Sequence, residues 1–302
     1  MLLFKKIVLS TYLIIQIKSM TFKRKLFLLA VALPYALQSI TGCNLNKHRN
    51  AEDTNRDTTI SSTKKIKEQQ PHNVYQKNAL TSDENNLINS LKEWKAGTIV
   101  TASLVKAYGE DKCFSSFPIS HNIYKRIEGK SYKKGCNVPL TDLCYLRILH
   151  YNAEGKLQLG EMICNKLIAN DLIAIFRTLY INHYRIERMV LVDAYNANDE
   201  LSMQDNNTTC FNFRRIKGKS KLSKHSLGLA VDINPLYNPH VKYNNQNKMI
   251  VAPQKGLAYA NRNKHFPYKI DASDLCYKLF KQHGFRWGGA WRHSKDYQHF
   301  EK

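Results

Sequence analysis

Ser223-Lys224-His225-Ser226-Leu227-Gly228-Leu229-Ala230-Val231-Asp232-Ile233-Asn234-Pro235 sets a His and an Asp at the two ends of a short glycine-containing turn. Its partner stretch closes the chain: Trp287-Gly288-Gly289-Ala290-Trp291, then Asp296-Tyr297-Gln298-His299-Phe300-Glu301. Together they offer two imidazoles and a carboxylate, His225, Asp232 and His299, with a further acid, Asp296, three residues before the last His. Three protein ligands with one position left for water is the inventory of a catalytic zinc site. A mixed nitrogen and oxygen set suits zinc better than calcium, which prefers oxygen throughout. Gly228 allows the chain reversal that returns Asp232 towards His225, and small Ala230 lets two strands approach beneath the metal.

Outward from this pair, the order of elements reads as mixed. Thr81 to Glu84 forms a capping box opening a helix through Leu87, Ile88, Leu91 and Trp94. Residues 145–149 and 156–159 flank Asn152-Ala153-Glu154-Gly155, a hairpin signal. Ile168, Leu172, Ile175, Phe176 and Leu179 recur at helical spacing and predict a core helix over about 164–182. Met189 to Val192 and Leu229 to Ile233 read as short buried strands. Leu275, Cys276, Leu279 and Phe280 predict a second core helix stopped by Gly284. Helices and short strands without regular alternation predict an α+β fold with a small antiparallel sheet and flanking helices.

Ahead of this domain, read as 87–302, the chain looks like an address and a tether. Lys23-Arg24-Lys25 followed by Leu26 to Leu33 is a secretory signal, too short and too soon broken by Pro34 to span a membrane. Ser39-Ile40-Thr41-Gly42-Cys43 looks like a bacterial lipobox, in which Cys43 would be acylated and anchored to a membrane surface. The hydrophobic stretch over 1–19 is a second start, so either Met20 is the true start or the signal region, 1–42, is bipartite. Residues 43–86 are polar and read as a disordered tether. The expected location is the bacterial envelope, on the periplasmic side or the cell surface.

The formal charge of +22 over 302 residues favours anionic partners such as acidic cell-wall polymers, or reflects scattered lysines alone. No zinc-finger spacing, RNA-binding signature or basic helical region supports nucleic acid. With Cys43 set aside six cysteines remain; Cys113 with Cys136 is the one suggested disulfide, while Cys164 and Cys276 are expected as buried thiols on helix faces. Oligomeric state is not legible.

Asp296 is the candidate general base, able to face the site without being a ligand. Arg214, in Phe211-Asn212-Phe213-Arg214, is the candidate for stabilising the charge that develops on the substrate. Glu301 is placed to orient a ligand imidazole. Ser223 is a further supporting or substrate residue. Trp287 and Trp291 read equally as pocket wall or core, and Asp199 and Ser202-Met203 as site lining or loop.

Ser-x-His-x-x-Gly-x-Ala-x-Asp, Trp-Gly-Gly-x-Trp and Asp-x-x-His-Phe-Glu resemble metallopeptidase family fifteen, whose members are zinc D-alanyl-D-alanine carboxypeptidases, related dipeptidases and L-alanyl-D-glutamate endopeptidases. The resemblance covers roughly 140–302, most specifically 195–302. It implies the α+β fold shared by DD-peptidases and hedgehog-type domains, zinc on His225, Asp232 and His299, Asp296 as base, and peptidoglycan stem peptides as substrate. Removal of a terminal D-Ala is the first expectation, and cleavage between L-Ala and D-Glu the second. A cell-wall-binding lipoprotein without turnover and a peptidase acting on other peptides are the rivals. Many members carry an Arg just after the strand entering the site. Here that position reads Val192-Asp193-Ala194-Tyr195-Asn196, and Arg214 is the substitute.

Overall fold

A computed structural model describes residues 81–216 and 221–302. The signal region, Met20, Cys43 and the tether up to residue 80 lie outside the described residues. Ser82 to Asn86, given to the tether by composition, lie in the first helix, α1 (Ser82–Glu93). No helix among the described residues is long and apolar enough to cross a membrane.

The hairpin signal is realised as β3 (Leu143–Tyr151) and β4 (Leu157–Asn165), paired antiparallel over their full length. The turn closes because the Asn152 side-chain oxygen accepts the Glu154 and Lys156 amides, at 3.0 and 2.9 Å. β1 (Ile99–Val100) and β2 (Phe114–Pro118) complete a four-stranded antiparallel sheet in the order β1-β4-β3-β2. Short helix α2 (Ala102–Tyr108) lies between the outer strands β1 and β2, and α3 (His121–Ile127) between β2 and the inner strand β3. Helix α4 (Lys166–Ile181) follows directly from β4, capped by Asn165, whose side chain accepts the Leu167 amide at 3.0 Å. Its apolar stripe of Ile168, Leu172, Ile175, Phe176 and Leu179 is buried.

Two three-stranded antiparallel sheets make the C-terminal half. β5 (Ala230–Asp232), β10 (His299–Glu301) and β8 (Arg286–Trp287) pair in the order β5-β10-β8. β6 (His240–Tyr243), β7 (Met249–Ala252) and β9 (Ser294–Asp296) pair in the order β7-β6-β9. Short helix α5 (Asp199–Gln204) precedes them, and α6 (Leu275–Gln282), capped by Asp274, lies before β8. Gly284 stands just past α6 at φ +83°, as the helix stop requires. The period of two along β10 ties site to core. His299 and Glu301 face one side, while Phe300 stacks on Phe280 at 4.3 Å between ring centres, and Phe280 in turn meets Phe176 and Phe285. Truncating Phe300 to Ala would remove this anchor at a loss of about 3–5 kcal/mol.

The mixed α+β reading therefore stands, with three small antiparallel sheets in place of one. Three local expectations are corrected. Met189 to Val192 is not a strand. Its backbone is satisfied from elsewhere: the Met189 carbonyl takes the Glu161 amide, the Asn207 amide group brackets Val190, and the Glu161 carboxylate accepts the Leu191 amide. The run then enters a 3₁₀ turn, Val192–Tyr195. Cys164 lies on β4, opposite Cys144, not on a helix. Cys113 and Cys136 are free thiols, as are the other cysteines among the described residues. Cys113 sits in the core, where burial first and the nearby Glu110 charge second push its thiol up to about 12, and its sulfur turns to the Gly109 carbonyl.

Candidate metal centre

The His225 turn is built by local chemistry. Ser223 caps the 3₁₀ turn Lys224–Leu227, its hydroxyl accepting the His225 amide at 3.3 Å. Gly228 ends the turn at φ +66°, a left-handed conformation. It is also pinned by space: a Cβ there would lie 2.6 Å from the Asn165 backbone nitrogen. Its carbonyl accepts that same Asn165 amide at 2.8 Å, so the turn is docked on the β4–α4 junction. Phe211 to Arg214 run alongside: Asn212 donates to the His225 carbonyl, and Ser223 to the Arg214 carbonyl, both at 3.1 Å.

Asp232 and His299 then meet by register. They are directly opposed on β5 and β10, so their side chains leave the same face of the sheet. Asp232 Oδ2 lies 3.2 Å from His225 Nε2, and Oδ1 lies 3.1 Å from His299 Nδ1. The two imidazoles approach at 3.2 Å, Nε2 to Nδ1. All three residues are buried, and their ligand atoms lie within 4.8 Å of one another.

The outer ring nitrogens decide what this cluster can hold. His225 Nδ1 sits 2.6 Å from the Cys210 carbonyl, which only accepts, so Nδ1 carries the hydrogen. His299 Nε2 faces the Glu301 carboxylate at 3.4 Å and carries its hydrogen there. The inner His225 Nε2, His299 Nδ1 and Asp232 oxygens are then all lone-pair donors pointed at one another. Such a set repels itself unless a cation sits among it, and the residues therefore fit a metal. Without a metal a proton takes the cation's place: burial opposes a charged His299, yet the Asp232 and Glu301 carboxylates outweigh it and lift its pKa to about 10. Burial also works against the Asp232 carboxylate, but His225 and His299 hold it well below the usual carboxylate range.

Asp296 reaches the same place from another sheet. It is the last residue of β9, and Tyr297-Gln298 carry the chain across to β10, so one short turn links the two sheets beside the cluster. Gly288 makes this possible: a Cβ there would lie 2.6 Å from the Asp296 carbonyl oxygen and 3.2 Å from His299 Cβ. Burial raises the Asp296 pKa; His240 and His299 pull it back, while Asp232 pushes it further up. Asp296 Oδ1 is buried without a hydrogen-bond partner.

An open cleft of about 920 Å³ is lined by His225, Asp232, His299, Asp296, Arg214 and Trp291, among others. Ser223 and Glu301 also border it. Arg214 points into it in an ion pair with Asp199, which also accepts from Asn212 Nδ2 at 2.7 Å. Asp199 and Met203 are thus lining residues, whereas Ser202 is buried and accepts from Asn207. The two tryptophans divide. Trp291 lies 5.2 Å from the His299 ring on the cleft side. Trp287 packs on Tyr277 and donates to the Tyr297 carbonyl at 2.9 Å, holding the turn that delivers Asp296. Two cleft residues have no signal in the sequence. Gln298 carries an unpartnered buried Oε1, and His240 an unpartnered buried Nε2. Only the pairing of β6 with β9 brings His240 here.

Residues 217–302 match the family model described as D-alanyl-D-alanine carboxypeptidase, a metallopeptidase family. The matched segment contains His225, Asp232, Asp296 and His299; Arg214 precedes it. Neither the curated proteins nor the solved structures contain a match to the chain.

Proposed function

We propose, on the premise that residues 217–302 belong to this metallopeptidase family, that the protein is a zinc peptidase acting on peptidoglycan stem peptides, first as a D-alanyl-D-alanine carboxypeptidase. The observation that carries the reading is the buried trio of inward lone pairs on His225, Asp232 and His299 with Asp296 beside it. A zinc ion held by the trio would lower the pKa of water to ~7 and polarise the scissile carbonyl. Asp296 takes a proton from the attacking water and passes it to the leaving amine; its raised pKa brings it nearer the working pH, as a shuttle needs. Arg214, steadied by Asp199, offers its remaining N–H groups to substrate charge. Trp291 forms an apolar wall. Lys221, Lys224 and Lys242 along the cleft offer ammonium groups to carboxylate-bearing stem peptides, while Arg286 is paired with Glu301.

The same reading takes the β5-β10-β8 sheet as the core of the fold shared by DD-peptidases and hedgehog-type domains. It places the protein in the bacterial envelope, lipid-anchored through Cys43 and held off the membrane by the polar stretch that follows. Incubation of the purified protein with defined stem peptides, with and without a chelator, tests the activity by mass spectrometry. Chelator-sensitive loss of a terminal alanine is expected. A split after L-Ala moves the assignment to an endopeptidase, and no product from zinc-loaded protein refutes the reading. Cys43→Ser is expected to release the protein from the membrane fraction.

A further inference from the structure

We propose that His240 is a further catalytic residue, donating a hydrogen bond from Nε2 to the carbonyl oxygen that gains charge as the peptide bond is attacked. The inference rests on the peptidase reading and extends it. His240 lies directly opposite Asp296 in the antiparallel β6–β9 pair, so the two side chains leave the same face of the sheet. On its other side His240 is paired with Ala252, a small side chain. His240, Ala252 and Asp296 all line the cleft.

Both polar ends are unsatisfied. His240 Nε2 and Asp296 Oδ1 are buried, and neither has a hydrogen-bond partner. Buried polar atoms are almost always paired, and an unpaired one in a cleft points to a partner that arrives with the ligand. A group that satisfies both must accept from an imidazole N–H and donate to a carboxylate. The tetrahedral carbon formed when water adds to a peptide carbonyl presents that pair. Its former carbonyl oxygen accepts from His240, while the hydroxyl left from water donates a hydrogen bond to Asp296, which has already taken the water's other proton. The C–N bond then breaks as Asp296 passes that other proton to the nitrogen, leaving a carboxylic acid and an amine. His240 gives up no proton in this sequence and acts by hydrogen bonding alone, so it strengthens its contact only as charge develops.

The test compares wild type, His240→Ala and His240→Gln. The readouts are kcat and KM on a stem peptide, zinc content, and calorimetric binding of a dipeptide whose scissile amide is replaced by a phosphinate. The phosphinate's two oxygens imitate the tetrahedral pair. His240→Ala is expected to lower kcat about 10²-fold with KM nearly unchanged, to keep its zinc, and to weaken phosphinate binding by a similar factor. His240→Gln, which restores an N–H donor, is expected to recover most of both. Activity of His240→Ala within about threefold of wild type would overturn the role. So would loss of zinc in that variant, or a Gln variant no better than Ala, since either marks a structural part. A wild type that binds the phosphinate but hydrolyses neither stem peptide bond removes the peptidase reading. The phosphinate affinities of the three proteins would still decide whether His240 holds the tetrahedral oxygens.

Discussion

Gly228→Ala tests whether the ligand turn is held by the geometry described. At φ +66° any side chain carries a left-handed backbone penalty of about 1–2 kcal/mol. The new Cβ would also sit 2.6 Å from Asn165 N and 3.1 Å from Cys164 C. These are backbone atoms at the β4–α4 junction and cannot rotate away, so overpacking adds about 1–3 kcal/mol. Relief requires the turn to lift from β4, which strains the 2.8 Å Asn165–Gly228 hydrogen bond. The expected loss is about 2–5 kcal/mol in urea unfolding with chelator present. Gly129→Ala is the control: its φ is +72° but nothing lies within 4 Å of the added Cβ. It should lose only the backbone part, about 1–2 kcal/mol. Because the lifted turn carries His225, Gly228→Ala should also weaken metal affinity, whereas Gly129→Ala should leave it alone. Equal losses in the two variants, with equal metal affinity, would refute the docking argument.

Asp296→Asn is expected to retain metal and lose turnover by about 10²–10⁴-fold; an activity above a tenth of wild type would sink its assignment as base. His299→Ala should abolish metal retention, and Glu301→Gln, which loosens the hold on His299 Nε2, should weaken metal affinity about 10–100-fold in a competition titration. His150 supplies a pH prediction away from the site. Its ring is buried, with Nδ1 2.8 Å from the Ile186 carbonyl, and burial lowers its pKa from 6.5 to about 4. A depressed histidine pKa means that between about 4 and 6.5 the unfolded chain binds the proton and the folded one does not. Stability is therefore intact above 6.5 and falls as pH drops towards 4, by up to about 1.4 kcal/mol per unit from this group. The stability gap between wild type and His150→Gln should change by about 3 kcal/mol across that window; a constant gap would refute it.

Residue identity alone determined the metal-binding inventory. Side-chain chemistry at His225, Asp232 and His299 limits what they can hold, and the glycines between them limit how the chain can turn. Local periodicity likewise carried the β3–β4 hairpin, helix α4 and helix α6, because each satisfies its own backbone within a short span. Met189 to Val192 was misread for the opposite reason: its hydrogen bonds go to Glu161 and Asn207, which no local pattern reveals. Tertiary structure decided the rest. The β5–β10 register sets Asp232 against His299, and the Tyr297-Gln298 crossing brings Asp296 from a different sheet. Trp291 went to the cleft and Trp287 to the packing beneath the turn. His240, far from any motif, became a neighbour of Asp296 only through the β6–β9 pairing. Such contacts depend on which strand edges meet, and strand pairing is a long-range choice that a linear spacing does not encode.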